Sequence, residues 1–98
     1  MTAELRCKVY PGMFSSEFAV VVEAFNGRIY SLFADRDKVR ASGTPTLDEP
    51  TEGWLKVSVL EGEGDNILVQ LPQTTIENGR FLSVRDDQLC RTTVMASV

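Results

Sequence analysis

The sequence contains no histidine, and this absence excludes more functions than any motif it carries. Without imidazole the chain lacks the usual general base near neutral pH, a common metal ligand and the usual pH switch. Ser15 and Ser16 have no imidazole to activate a hydroxyl nucleophile. We therefore expect a protein that is not an enzyme, and we assign no catalytic residue.

Cysteine is also scarce, since Cys7 and Cys90 are the only two. They show no C-x-x-C spacing, so neither a zinc site nor a redox dithiol is indicated. Alternating acidic residues at Glu61, Glu63 and Asp65 lack the remainder of a calcium-binding loop. We expect two reduced thiols, with a Cys7–Cys90 bridge as the alternative, and no metal or cofactor.

No apolar run approaches the roughly 20 residues that a membrane helix requires, and the N-terminus shows no signal-peptide pattern. The ten Lys and Arg residues are outnumbered by fourteen Asp and Glu residues, which gives a formal net charge of −4. A negative net charge repels phosphate backbones at long range. These features predict a cytoplasmic protein without a membrane segment and make nucleic acid an unfavoured partner.

Helical periodicity is missing as well, and short apolar–polar alternations take its place. The 98 residues, 43% of them hydrophobic, suffice for one β domain spanning 1–98. Strands are predicted within 4–10, 18–25, 28–34, 54–60, 67–71 and 75–82, and a short helical turn within 85–90. Beyond the hairpins themselves, no internal repeat is evident.

Asn26-Gly27 is the strongest local signal, because this pair favours the positive φ angles of a two-residue type I′ turn. Closing the hairpin there pairs Val20 with Phe33 and Val21 with Leu32. Both faces of the hairpin are then apolar away from the turn. Either a strongly coiled barrel strand or self-association through Val21 and Leu32 would explain that pattern. We expect a monomer, with a homodimer as the alternative.

A later hairpin is predicted to close on Asn78-Gly79, with Ile76 opposite Phe81. The long central segment 42–52 is rich in Gly, Pro, Thr and acidic residues, and we predict a mobile loop there. The tail 91–98 is expected to fray or to add an edge strand.

Six or seven short strands predict an all-β fold, and a small meandering barrel is favoured because so few strands cannot cover two sheets. SH3-like topology is the first expectation and an OB-like barrel the second. Either architecture carries no function by itself.

Trp54, the only tryptophan, falls on the polar side of its strand beside the long loop. SH3-type modules bind extended peptides in an aromatic groove, so Trp54 and Tyr30 are candidate peptide contacts. The competing interpretation is a Trp that only packs over the mouth of the barrel.

One basic patch is predicted, and its members share one region if the chain stays extended. They are Arg28, Arg36, Lys38 and Arg40. Small barrels bind single-stranded nucleic acids by combining such cations with aromatic platforms. We predict a non-catalytic protein-interaction or regulatory module, and the alternative is a nucleic-acid-binding small β-barrel that uses these four cations.

Overall fold

The protein, a computed structural model in which residues 1–77 and 79–91 are described, forms one eight-stranded antiparallel sheet curled into a half-barrel. The expected all-β, barrel-like class is confirmed. The strands are β1 (Thr2–Pro11), β2 (Glu17–Glu23), β3 (Ile29–Asp35), β4 (Val39–Ala41), β5 (Thr51–Glu63), β6 (Asn66–Gln70), β7 (Phe81–Arg85) and β8 (Leu89–Arg91).

Two single-turn 3-10 helices, Arg36–Lys38 and Asp86–Gln88, precede β4 and β8. The second lies where a helical turn is predicted, which confirms that prediction. Among the described residues, neither helix has the length or apolarity needed to span a bilayer.

The sheet order is β3-β2-β1-β5-β6-β7, with β4 beside β5 and β8 beside β1. Successive residues of a strand point to opposite sides, so each strand has one face in the core. Leu5, Val9, Val20, Leu55 and Val69 are among the fully buried side chains of that inner face. The outer face of the central strands is left to charged residues and to Trp54.

The chain consists of two halves with the same order of elements. Each half runs through three strands, a 3-10 turn and a short strand, and the turns at Arg36–Lys38 and Asp86–Gln88 lie 50 residues apart. The short last strand of each half pairs with the first strand of the other half. Thus Val39 lies opposite Leu55, as Leu89 lies opposite Leu5.

The equivalence extends to the hairpins: Val9 lies opposite Val20 in the first half, and Val59 lies opposite Val69 in the second. The expectation that the chain has no repeat beyond its hairpins is therefore wrong. The two halves have equivalent strand pairings but few identical residues. Their clearest shared sequence is the tripeptide Asn-Gly-Arg, which occurs at 26–28 and again at 78–80.

The β2–β3 hairpin closes on a three-residue loop. The Gly27 N–H donates to the Ala24 carbonyl at 2.9 Å, and the Ala24 N–H donates to the Arg28 carbonyl at 2.8 Å. Gly27 has a φ of 88°, and Asn26 has a negative φ. This is a type I turn followed by a glycine bulge, so the predicted type I′ turn is wrong.

The extra loop residue shifts the register of the hairpin by one, which exchanges the faces of one strand. Leu32 pairs with Val20 in the core and is 1% exposed, whereas Val21 pairs with Ser31 on the outer side. The predicted pairs Val20–Phe33 and Val21–Leu32 are wrong. The self-association patch of Val21 and Leu32 does not exist as an exposed surface, because Leu32 is buried.

The hairpin of the second half is formed by β6 and β7, with Gln70 opposite Phe81 and a loop over 71–80. The predicted pairing of Ile76 with Phe81 is wrong. Thr75 closes a local turn instead, since its N–H donates to the Gly79 carbonyl at 2.8 Å. Asn78 of the predicted turn lies outside the described residues.

Each hairpin loop reaches the edge strand of the other half. The Phe25 N–H donates to the Ser83 carbonyl on β7, and the Ile76 N–H donates to the Ser31 carbonyl on β3, each at 2.7 Å. The Ser31 N–H in turn donates to the Glu77 carboxylate at 2.7 Å. These bonds hold the two open edges of the curled sheet beside each other's loops.

The link between the halves is shorter than the predicted 42–52 loop, because β5 begins at Thr51. Thr46 and Glu49 exchange backbone hydrogen bonds of 3.1 and 3.2 Å within it, and Pro45 is buried. The mobility of this loop stays a prediction. Of the predicted tail, Arg91 ends β8, and residues 92–98 lie outside the described part of the chain.

Candidate functional site

Trp54 lies near the centre of the outer face of the sheet, between two arginines. Its cross-strand neighbours are Arg6 on β1 and Arg40 on β4. Their guanidinium carbons lie 6.0 and 5.8 Å from the centre of the Trp54 ring system. Both distances fall within the range of cation–π attraction. We call these three residues the Trp54 row.

Glu4 fixes the position of Arg40 in this row. Arg40 Nη2 donates to Glu4 Oε1 at 2.7 Å, and Arg40 Nε donates to Glu4 Oε2 at 3.3 Å. A forked, charge-assisted pair of this kind orients the guanidinium as well as attracting it. These hydrogen bonds to Glu4 also raise the pKa of Arg40. Arg40 is therefore held beside the Trp54 ring, with 61% of its side chain exposed.

The outer face around Trp54, where β1 and β4 pair with residues 51–56 of β5, is locally basic. Its cations are Arg6, Lys8, Arg40 and Lys56, and its carboxylates are Glu4 and Glu52. Four cations against two carboxylates give a local net charge of +2, in a chain whose formal net charge is −4. Acidic residues are thus concentrated elsewhere on the molecule.

Tyr30 is not part of this face. Tyr30 is on β3, where it lies opposite Val22 of β2 and packs against the core. The Arg28 guanidinium carbon lies 6.0 Å from the centre of its ring. Trp54 and Tyr30 therefore belong to opposite faces of the sheet. The structure does not bring these two predicted peptide contacts into one groove.

The four predicted nucleic-acid contacts are also separated. Arg28 and Arg36 lie at opposite ends of β3, whose seven residues span roughly 23 Å. Arg36 lies 4.4 Å from the centre of the Phe18 ring and donates to the Ser15 carbonyl, so it covers the end of the β2–β3 hairpin. Arg40 belongs to the Trp54 row.

Lys38, the fourth of these cations, lines a cleft together with Lys56 and Arg80. The sequence alone gives no reason to group Lys56 and Arg80 with Lys38, because the three residues are far apart along the chain. The tripeptide Asn-Gly-Arg that ends at Arg80 is the one local signal that links this part of the chain to its counterpart at 26–28.

The two cysteines are free, as expected, and they lie on different faces of the sheet. Cys7 is buried in the core, and its burial, followed by repulsion from Glu52, raises its pKa to about 12. Cys90 is exposed and pairs with Glu4 on the outer face. The alternative of a Cys7–Cys90 bridge is therefore wrong. Within 1–77 and 79–91, no group of three His, Cys, Asp or Glu residues is placed to hold a metal ion.

Comparison with models of protein families, with curated proteins and with solved structures finds no match for this chain.

Proposed function

We propose that this protein is a non-catalytic protein-interaction module whose outer face, formed by β1, β4 and β5, binds an acidic segment of a partner protein. The observation that carries the proposal is the half-buried Trp54 between Arg6 and Arg40. Trp and Arg are enriched among the residues that contribute most to protein–protein affinity. A regulatory role would act through the same contact.

The local charge supports an acidic partner. A positive face on a negatively charged protein attracts acidic segments in one orientation and repels them elsewhere. Arg6 is exposed, and its only described hydrogen bond is a long one of 3.5 Å to the Asp87 carbonyl. Most of its donors are thus open to a carboxylate that also contacts the Trp54 ring.

Trp54 makes the proposal directly testable, because as the only tryptophan it is the sole source of indole fluorescence. We would titrate the protein with a synthetic Asp- and Glu-rich peptide and, in parallel, with a single-stranded oligonucleotide of similar length. The proposal expects a saturable change of Trp54 emission with the peptide. A change with the oligonucleotide alone overturns it in favour of the nucleic-acid alternative.

Variants then locate the contact, with the affinity of each measured by the fluorescence anisotropy of a labelled peptide. Trp54→Ala is expected to weaken binding about tenfold or more, and Arg6→Gln by a smaller factor in the same direction. Arg28→Gln is the matched control, since it removes the same charge at the loop of the β2–β3 hairpin. If Arg28→Gln weakened binding as much as Arg6→Gln, the loss of affinity would reflect net charge alone. That result would overturn the assignment of the contact to the Trp54 row.

The module requires one copy of the chain, and we infer a monomer. The self-association surface expected from the sequence is removed by the burial of Leu32. Sedimentation equilibrium of the wild type tests this inference: a concentration-dependent dimer would contradict it.

A further inference from the structure

We infer a second binding site, distinct from the Trp54 row, in a cleft that takes a phosphate group. The cleft has a volume of about 340 Å³ and carries three cations, Lys38, Lys56 and Arg80. Its remaining polar lining comes from Thr2, Ser58 and Gln70, and none of its lining residues is acidic. It is a cationic cleft on a protein of net negative charge.

The two lysines are brought together by the pairing of β4 with β5. Val39 lies opposite Leu55, and Lys38 and Lys56 are the next residues along the two antiparallel chains. Like charges at opposed positions destabilise a sheet. Among the described residues, no carboxylate lies within 4.0 Å of either ammonium group. Glu4 is the cross-strand neighbour of Lys56, but its carboxylate accepts hydrogen bonds from Arg40.

Arg80 is held in place by the wall of the cleft. Its Nε donates to the Leu71 carbonyl and its Nη2 to the Pro72 carbonyl, each at 3.2 Å. A guanidinium has five N–H donors, so these two bonds orient the group and leave further donors for a ligand. An arginine fixed in this way presents a preformed donor to an anion.

The duplication supplies an internal comparison, because the equivalent surface of the other half is also a cleft. It has a volume of about 280 Å³. The equivalences at an offset of 50 residues are Lys56 with Arg6, Lys38 with Gln88, Thr2 with Glu52, and Ser58 with Lys8. The two clefts are thus built on the same strand pairings and differ in side chains.

In this companion cleft the groups in the places of Lys38, Thr2 and Ser58 are paired with other protein groups. Lys8 lies 3.9 Å from the Glu52 carboxylate. Gln88, in the place of Lys38, is 4% exposed, donates to the Glu23 carbonyl at 2.8 Å and accepts from the Arg85 N–H at 2.8 Å. The fold therefore does not require a lysine here. Of these two clefts, the one with Lys38, Lys56 and Arg80 combines three cations with hydroxyl donors and has no acidic lining residue.

Phosphate is the ligand class that fits these groups. Near neutral pH it carries up to two negative charges, and it accepts hydrogen bonds from ammonium, guanidinium and hydroxyl groups at once. Thr2 and Ser58 lie opposite each other across β1 and β5 and contribute two hydroxyls. The cleft volume lies at the lower end of the usual range for small-molecule sites, so it has room for a phosphate with a small organic substituent.

The test is calorimetric titration of the full chain with two probes, inorganic phosphate and phenyl phosphate. The inference expects at least one to bind at a single site, more weakly as salt is raised. Tighter binding of phenyl phosphate would identify the ligand as a phosphate monoester, and tighter binding of inorganic phosphate would identify the free ion. Absence of binding by both probes at millimolar concentration overturns the inference.

Lys38→Gln places at this position the residue that its counterpart carries, and it is expected to weaken phosphate binding about fivefold or more. Lys56→Gln is an independent second variant with the same expected effect. Arg85→Gln, which removes one charge from the companion cleft, is the control and should change the affinity less than about twofold. An equal loss in Arg85→Gln, or full affinity in both lysine variants, would overturn the site. Thermal unfolding of each variant verifies that it is folded. Lys56 also belongs to the basic outer face around Trp54, whereas Lys38 does not, so Lys38→Gln separates the two proposals: it should weaken phosphate binding and leave the affinity for the acidic peptide unchanged.

Discussion

Leu5 and Leu55 lie opposite each other in the pairing of β1 with β5, and both are completely buried. The approximate two-fold relationship between the halves passes through this pair. The second cross-strand neighbour of each leucine belongs to the short strand of the other half: Leu89 lies opposite Leu5, and Val39 lies opposite Leu55. The two leucines therefore occupy equivalent positions in the core.

This equivalence predicts similar energetic roles. Leu5→Ala and Leu55→Ala should each lower the free energy of unfolding by about 2 to 5 kcal/mol, because each leaves a cavity at the centre of the core. Leu60→Ala is the control. Because Leu60 is 47% exposed, this substitution should lower the free energy of unfolding much less. Urea denaturation measures all three. A loss confined to one half would show that the halves are not energetically equivalent.

Gly27 is predicted to be required by the bulged β2–β3 loop. Its φ of 88° is unfavourable for a β-branched residue, so Gly27→Val should lower the free energy of unfolding by more than about 1 kcal/mol. Gly43→Ala is the matched control, because its φ is not positive and the added methyl would meet only Thr51 Cγ2 at 3.7 Å. Comparable melting temperatures for wild type and Gly27→Val would contradict the loop geometry.

Glu77 links stability to pH. The N–H of Ser31 donates to its carboxylate, and this bond lowers the pKa of Glu77. A lowered folded-state pKa means that the ionised group stabilises the fold above the pKa of the unfolded chain, and that this contribution is lost as the pH falls through the folded-state value. Wild type should therefore exceed Glu77→Gln in stability above about pH 5, and the difference should shrink on acidification. Unfolding curves at several pH values measure it, and a constant difference would contradict the role of the charge.

Cys7 and Cys90 should differ sharply in reactivity. Thiols react as thiolates, and a pKa of about 12 leaves Cys7 protonated at neutral pH as well as buried. A chromogenic disulfide reagent should label one cysteine in the native protein and two in denaturant. Cys90→Ser should abolish the native labelling and keep the second site in denaturant. Rapid native labelling of that variant would contradict the burial of Cys7.

Local alternation was enough to predict the class of fold. In β1, Leu5 and Val9 alternate with charged residues, and the same period in β5 and β6 leaves little choice about which face is buried. Trp54 is correctly placed on the outer side for the same reason. These features depend only on neighbouring residues of one strand.

The errors arise where one residue changes the geometry of a turn or where distant segments meet. Asn26-Gly27 is compatible with both a two-residue and a three-residue loop, and the choice between them moves Leu32 from one face to the other. The cleft of Lys38, Lys56 and Arg80 depends on pairings between the two halves, and strand periodicity carries no information about such pairings.

The exchange of short strands has a consequence for how the chain folds. Because β4 completes the sheet beside β5 and β8 completes it beside β1, neither half satisfies the backbone hydrogen bonds of its own first strand. We therefore expect neither residues 1–41 nor residues 51–91 to fold as an autonomous unit. Pairing the two halves requires long-range contacts, so most of the loop-closure entropy is lost before β1 and β5 gain their stabilising hydrogen bonds. We therefore expect folding to be all-or-none and limited by the meeting of the halves, so that slow amide exchange in one half is accompanied by slow exchange in the other.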